Sequence, residues 1–470
     1  MGALSFEILK HDKQSHARIG LIKTRRGDIE TPYLVPVATL GSVRALGSDD
    51  LQSLGAQCTL ANTYHLHLMP GDELIKRMGG LQRFMGLNRP TFTDSGGFQA
   101  FSLGFAREHN IGKIGNIFPD ELASNGRCAN AKSASGKDGD SSGICQDGIY
   151  QDFRRRYDDD CAGENDGKKI GIMHNDNCSD DNNNDREGRR AKQKPAKKEN
   201  LTRITDDGIS FKSLSDGAWH FLNAEKSMKI QSNLGSDIIM AFDECTSPLS
   251  DYDYTRRAMQ RSHVWADQSI RYHDKDQALY GIIQGGWFED LRRESTEAIC
   301  AQPFDGIAIG GSLGNSKLDM HQVLDWTVPR LDENRPRHLL GIGEIDDIFE
   351  CVARGIDTFD CVSPTRIARR GSLLISPEAG GSKDNKFHIN IKSAKFKEDR
   401  LPIDPNCTCS TCRTYSRAYL HHLYVSRELS YFRLATLHNL HFMLRFMEEI
   451  RESIRTGTFA AMKVRWLRMT

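Results

Sequence analysis

The chain has 470 residues, with 63 Lys plus Arg balanced by 63 Asp plus Glu, and a hydrophobic share of 38%. That length holds two or three average domains or one elaborated α/β barrel, and zero formal charge excludes polyanion binding through bulk charge, so a nucleic-acid partner must meet a local basic patch. With no run of eighteen apolar residues and no apolar leader-like segment, we expect no membrane span and no export, and read the twelve cysteines as thiols of a reducing, cytoplasmic compartment.

In chain order, strand candidates come first at 33–37, 57–61 and 91–93. From 131 to 200 the composition changes to Gly, Ser, Asp, Asn and Lys, with an acidic run near 180–185 and a basic run from Arg186 to Lys198. Such a segment cannot bury enough apolar surface to offset its ordering entropy. We therefore read 105–203 as an insertion, largely disordered. Its four cysteines, Cys128, Cys145, Cys161 and Cys178, are too irregularly spaced for a metal site. From 235 onward short apolar runs alternate with amphipathic patterns. Runs at 236–242, 278–283, 306–309, 338–342 and 358–362 are each separated by a predicted helix, at 254–272, 289–301, 318–331 and 345–354. Continuous apolar strands between helices predict a parallel sheet covered on both faces. With the three earlier strands the count approaches eight. This predicts a (β/α)₈ TIM barrel over 1–104 and 204–395, with a doubly wound open sheet as the alternative.

Each strand candidate ends in polar or glycine-rich sequence. Thr93 leads into Asp94-Ser-Gly-Gly-Phe98-Gln99, and Phe242 into Asp243-Glu-Cys245. Ile283 leads into Gln284-Gly-Gly, Ile309 into Gly310-Gly311, and Phe359 into Asp360. In a barrel these ends gather on one rim, where active sites are built. Glycines there let main-chain N–H groups approach a flat ligand closely. Three carboxylates around one pocket could serve as nucleophile, proton carrier and acceptor for a base's N–H edge. One Asp after a strand is more often a helix cap or turn former; the inference rests on five such ends occurring together.

Cys407, Cys409 and Cys412 lie within six residues, and His438 follows 26 positions after Cys412. Three thiols and one imidazole suit a tetrahedral zinc ion, and four protein ligands leave no open position, so the site is read as structural. His421, His422 and His441 stand as alternatives for the fourth ligand. The segment 396–470 is then a zinc-binding helical subdomain, ending in an amphipathic helix near 434–455.

Taken together, these motifs resemble the tRNA-guanine transglycosylase (queuine tRNA-ribosyltransferase) family. The resemblance rests on Asp94-Ser-Gly-Gly-Phe-Gln, Met240-Ala-Phe-Asp-Glu-Cys245, Gly306-Ile-Ala-Ile-Gly-Gly311 and Phe359-Asp-Cys-Val-Ser-Pro-Thr-Arg366. The Cys407/Cys409/Cys412/His438 set, Ala61-Asn-Thr-Tyr-His-Leu66 and Tyr415-Ser-Arg-Ala-Tyr-Leu-His-His422 add to it. It implies a barrel with a structural Zn²⁺ and exchange of guanine at wobble position 34 of GUN-anticodon tRNA for a 7-deazaguanine. Asp360 is implied as nucleophile, through a covalent ribose intermediate, and Asp94 as general acid/base. Asp243, Gln284, Gly310 and Gly311 would hold the base and Phe98 would stack on it. Arg366 and Arg369 would meet RNA. A homodimer, or a heterodimer with a paralogue, is also implied; in the latter case this chain could be the non-catalytic tRNA-binding subunit, although both acids are in place. The incoming base is open: Cys245 resembles preQ1-using members, and Gly314 the roomier pocket of queuine-using ones. The archaeal members of the family carry further C-terminal RNA-binding domains, for which this chain is too short on that resemblance.

Overall fold

The structure, a computed structural model, describes residues 3–100, 201–213 and 217–467. The insertion expected over 105–203 and its four cysteines therefore lie almost wholly outside the described residues. Eight strands form one parallel sheet: β1 (Tyr33–Pro36), β2 (Thr59–Ala61), β3 (Thr91–Thr93), β4 (Ile238–Met240), β5 (Ala278–Ile283), β6 (Gly306–Ile309), β7 (Arg337–Leu339) and β8 (Thr358–Cys361). Hydrogen-bonded neighbours run β1, β8, β7, β6, β5, β4, β3, β2. A parallel bridge between Val37 and Leu60 joins the two ends, and the Ala38 N–H donates to the Leu60 carbonyl at 2.6 Å. The sheet is thus a closed barrel, and the open-sheet alternative is set aside. All residues of β1 to β7 are buried, as strands covered by helices on one face and packed into a barrel core on the other must be.

The helices that wrap the barrel follow from local sequence. The helix Tyr252–Tyr272 starts where the Asp251 side chain accepts from the Tyr254 N–H, satisfying one orphan donor of the first turn. Thr255, Ala258, Met259, Ser262, Trp265, Ala266 and Ser269 then recur at three- and four-residue spacing and form the buried face. The helix Lys317–Thr327 opens with a capping box between Ser316 and Asp319.

Two additions shape the ends of the barrel. An antiparallel sheet of Leu4–His11, Arg18–Thr24 and Gly27–Thr31 places Arg18 against Asp357, just before β8. That pair is fully buried and bidentate, at 2.9 and 2.6 Å, so removing one partner would leave a buried charge uncompensated. At the other end of the chain the helix Leu429–Thr456 is longer than the sequence pattern predicted. Asn439 on this helix accepts from the Leu374 N–H and donates to the Pro364 carbonyl, each at 2.9 Å. Arg451 donates to the Pro32 carbonyl at the mouth of β1. Phe446 is fully buried in the core shared with the barrel, so Phe446→Ala costs ~3–5 kcal/mol.

Candidate active site and metal centre

The barrel places the sequence-predicted acids at one end. Asp94 follows β3, Asp243 lies just beyond β4, Gln284 follows β5, Gly310 and Gly311 follow β6, and Asp360 sits within β8. All are at the C-terminal ends of their strands. Asp94 Oδ2 accepts from Asn62 Nδ2 at 2.5 Å and Gln99 Nε2 at 2.7 Å, and Oδ1 from the Thr63 N–H at 2.8 Å. Burial pushes the Asp94 carboxyl above its ordinary pKa, against those hydrogen bonds, and the negative charge of Asp360 adds to the rise. The two acids are therefore close enough to share a field.

Asp360 is held differently. Its Oδ1 accepts from His338 Nε2 at 3.2 Å and from the Gly341 N–H at 3.1 Å, whereas neither bond involves Oδ2. The side chain keeps 17% of its surface exposed. One oxygen is thus fixed by two donors, and neither of these bonds engages the other. His338 is fully buried; its Nδ1 lies 2.9 Å from Thr358 Oγ1 and its ring stacks on Phe92.

Asp243 is buried and accepts from Ser95 Oγ and from Gln284 Nε2, both at 2.7 Å. Burial lifts its pKa to about 6; the two hydrogen bonds oppose this, and the charges of Asp94 and Glu244 reinforce it. Gln284 Oε1 is buried and has no hydrogen-bond partner among the described residues. A Cβ on Gly311 would collide with that oxygen, so only glycine lets the main chain lie against the Gln284 amide. Cys245 shares this wall: burial and then Asp243 push its thiol up to about 12, and the Gly311 N–H donates toward it.

Gly314 has a local explanation. Its φ is +98°, and a Cβ there would run into Asp319, the capping residue of the following helix. Glycine is required by the turn itself, so its presence carries no information about the size of an incoming base.

Phe98 is exposed at 41% on the segment that follows Asp94, so its ring is free to meet a flat ligand. Arg366 and Arg369 lie on the short helix Ser363–Arg369 after β8. Burial, with Arg44, Arg366 and Arg370 nearby, lowers the Arg369 pKa to about 10. Among the described residues none of these four guanidiniums pairs with a carboxylate. The four guanidiniums form a local basic cluster on a chain of zero formal charge.

Sulfur atoms of Cys407, Cys409 and Cys412 and the His438 imidazole all lie within 4.8 Å of one another. His438 Nδ1 faces the three sulfurs at 3.6, 3.6 and 3.3 Å, while its Nε2 lies 2.7 Å from the Leu374 carbonyl. That carbonyl fixes the tautomer and leaves Nδ1 free to ligate. His441 reaches Cys407 alone among the thiols, and His421 is bound to the Ile391 carbonyl. The fourth ligand is therefore His438, and the S₃N donor set fits a structural zinc ion. A second acidic group, Glu344, Asp346 and Asp347, already surrounds a cation: Lys317 Nζ lies 2.8, 2.9 and 3.2 Å from their oxygens.

Residue-type reasoning gave no role to Asn62, Ser95, Gln99, Arg292 or His338. Asn62 and the Ser95 and Gln99 side chains sit inside recognised motifs, so their signal was present but unassigned. His338 looked like an ordinary strand residue, and only the pairing of β7 with β8 brings it to Asp360.

A closed barrel with carboxylates at the C-terminal ends of its strands, and a four-ligand site fit for zinc in its C-terminal region, has the build of a barrel enzyme. The chain belongs to the queuine tRNA-ribosyltransferase family, whose model matches residues 12–119 and 191–470. A relative in Archaeoglobus fulgidus is 47% identical over 451 residues, covering 96% of each chain. The queuine tRNA-ribosyltransferase of Roseiflexus sp. is 39% identical over 477 residues, covering 99% of each, and that of Staphylococcus aureus is 36% identical, covering 97% of this chain and 93% of its own. No helix among the described residues is long and apolar enough to cross a membrane.

Proposed function

We propose that this chain exchanges guanine at position 34 of GUN-anticodon tRNAs for a 7-deazaguanine, preQ1 or queuine. The observation that carries the reading is the position of Asp94 and Asp360 at the C-terminal ends of two strands of one closed barrel, Asp94 held by Asn62, Thr63 and Gln99 and Asp360 held at Oδ1 by His338 and Gly341. Asp360 attacks C1′ of the ribose through Oδ2, the oxygen not engaged by His338 and Gly341. The C1′–N9 bond breaks and its electron pair leaves with the purine, which Asp94 protonates. The raised pKa of Asp94 suits a group that must carry a proton. The incoming base then attacks C1′, Asp94 takes its proton, and the Asp360 ester is released. Two displacements at one carbon retain the anomeric configuration, as in retaining glycosidases.

Asp243 receives the N–H edge of the base, Gln284 with Gly310 and Gly311 its carbonyl side, and Phe98 its face. Arg366 and Arg369 pair with phosphates. The zinc site holds the C-terminal region and takes no part in the displacement. The chain works where tRNA is found, in the cytoplasm, as a homodimer or beside a paralogue. Release of labelled guanine from tRNA by the purified chain tests the reading: Asp360→Asn should abolish exchange with the fold intact, and near-parental exchange in that variant would end it. Exchange that needs an added paralogue identifies the heterodimer. Competition between preQ1 and queuine on one tRNA identifies the base.

A further inference from the structure

Behind the wall formed by Gln284 and Gly311 lies a buried cation with no carboxylate partner among the described residues. Arg292, on the helix Glu289–Cys300, is fully buried. Its Nε donates to the Gly286 carbonyl at 2.8 Å, Nη1 to Ile283 at 3.1 Å and Nη2 to Ser312 at 2.8 Å. These carbonyls flank the two loops that carry Gln284 and Gly311. Nη2 also stands 3.7 Å from the point a Cβ on Gly311 would occupy. Among the described residues no acid forms an ion pair with Arg292. Among the described residues the ionisable group whose charge acts on Arg292 is the Cys245 thiol, which burial and then Asp243 hold up at about 12; the Asp243 carboxylate stands on the far side of the Gln284 amide.

Burying a guanidinium without a counter-charge is expensive. Three neutral carbonyls solvate it but leave its charge in place, and burial lowers its pKa only to about 10, so it stays cationic at neutral pH. The resting site thus has a fixed positive potential directed at the wall where a base's carbonyl would rest. Fixed charge in a water-poor site is worth most where charge develops during reaction.

We propose, resting on the base-exchange reading, that Arg292 is a positioning residue that shapes this wall and supplies the positive potential stabilising the departing 6-oxopurine. When the C1′–N9 bond breaks, the electron pair enters the purine ring and spreads onto the 6-carbonyl oxygen. Arg292 attracts that charge through the Gly311 and Gln284 amides until Asp94 delivers its proton. No bond to Arg292 forms or breaks. The site is thereby tuned to bases carrying a carbonyl at this position, guanine and 7-deazaguanines alike.

The test compares Arg292→Lys, which keeps the charge but not the fork, with Arg292→Gln, which keeps a polar side chain without charge. Guanine exchange on tRNA is measured from pH 5.5 to 9, with zinc content and near-ultraviolet circular dichroism as checks on folding. Arg292→Gln should lower kcat about 100-fold with the KM for tRNA within about twofold, and move the alkaline limb of the profile to lower pH, because the base then leaves only when Asp94 is protonated. Arg292→Lys should stay within about tenfold of the parent. Equal losses in both variants, an unmoved profile, or loss of zinc and tRNA binding in parallel with activity would reduce Arg292 to a structural clamp and overturn the proposal. A parental chain without exchange would instead fell the base-exchange reading.

Discussion

His338 Nε2 lies 3.2 Å from Asp360 Oδ1, and the opposite ring nitrogen lies 2.9 Å from Thr358 Oγ1. A buried imidazole thus bridges two side chains of β8, two residues apart on one face of the strand. Flanked by the Thr358 hydroxyl on one side and the Asp360 carboxylate on the other, the ring donates from Nε2 and holds the carboxylate in one rotamer. Losing a hydrogen bond to a charged group is worth ~1.5–3 kcal/mol. His338→Phe should therefore lower kcat roughly 10- to 100-fold while the KM for tRNA stays constant. His338→Gln, which can still donate to Asp360, should recover most of that loss. Equal activity of the Phe variant and the parent in single-turnover formation of the covalent RNA adduct would refute the role.

Asp243 offers a conflict between stability and function. Its folded pKa, about 6, is raised above the ordinary 3.8. The native state therefore binds this proton more tightly, and the stability it brings is present below about pH 4 and lost as pH rises through about 6. Roughly two pKa units correspond to about 3 kcal/mol. Asp243→Asn escapes that loss: Ser95 can still donate to it, and a turned Gln284 amide offers the oxygen that now lacks a partner. Denaturant unfolding at pH 7.5 should find the variant more stable by up to about 3 kcal/mol, with the gain vanishing near pH 4. Exchange should fall at least about 100-fold, and in the parent the KM for free base should rise as pH drops below 6.

Arg366 and Arg369 belong to a cluster that has no acidic partner among the described residues, so their charge can meet phosphate. Arg366→Ala should weaken binding to cognate and non-cognate tRNA alike and reduce the slope of log K against log salt by about 1. A loss confined to the cognate tRNA, with the slope unchanged, would assign base reading to it instead.

Zinc removal should act on stability before chemistry. His438 links the thiols to the Leu374 carbonyl, and Asn439, next along the helix, binds the Leu374 N–H. Cys412→Ser should abolish the one zinc per chain detected by mass spectrometry and cost about 4 kcal/mol or more in unfolding free energy. Unchanged thermal unfolding after chelation would contradict a structural ion.

The features legible in the sequence were those with short-range signatures. The alternation of apolar runs and amphipathic stretches from 235 onward corresponds to β4 to β8 and their helices, because periodicity records burial directly. Cys407, Cys409 and Cys412 were legible for the same reason, being close in the chain. His438 needed the fold to separate it from His421 and His441. The ends of strands marked Asp94, Asp243, Gln284 and Asp360. What supports them was hidden: Asn62 reaches Asp94 across 32 positions and Ser95 reaches Asp243 across 148, and such pairs exist only once strand order is known. Gly314 shows the opposite risk, a residue whose apparent meaning for the ligand dissolves into the needs of its own turn.

The closure of the barrel has a consequence for its breathing. Seven neighbouring pairs of staves are zipped by runs of paired residues, whereas β1 and β2 meet just past the end of β1, through the Val37–Leu60 bridge and the Asn62 N–H donating to the Thr39 carbonyl at 3.3 Å. That seam is the natural place for the cylinder to part, and the Ala38 amide should trade its proton for deuterium ahead of amides in β5. The second stave runs straight into Asn62 and Thr63, two of the three residues whose hydrogen bonds hold the Asp94 carboxylate. Slackening along this short seam would thus loosen the hold on the Asp94 carboxylate, so a transient gap in the wall and a shift of that acid become one event.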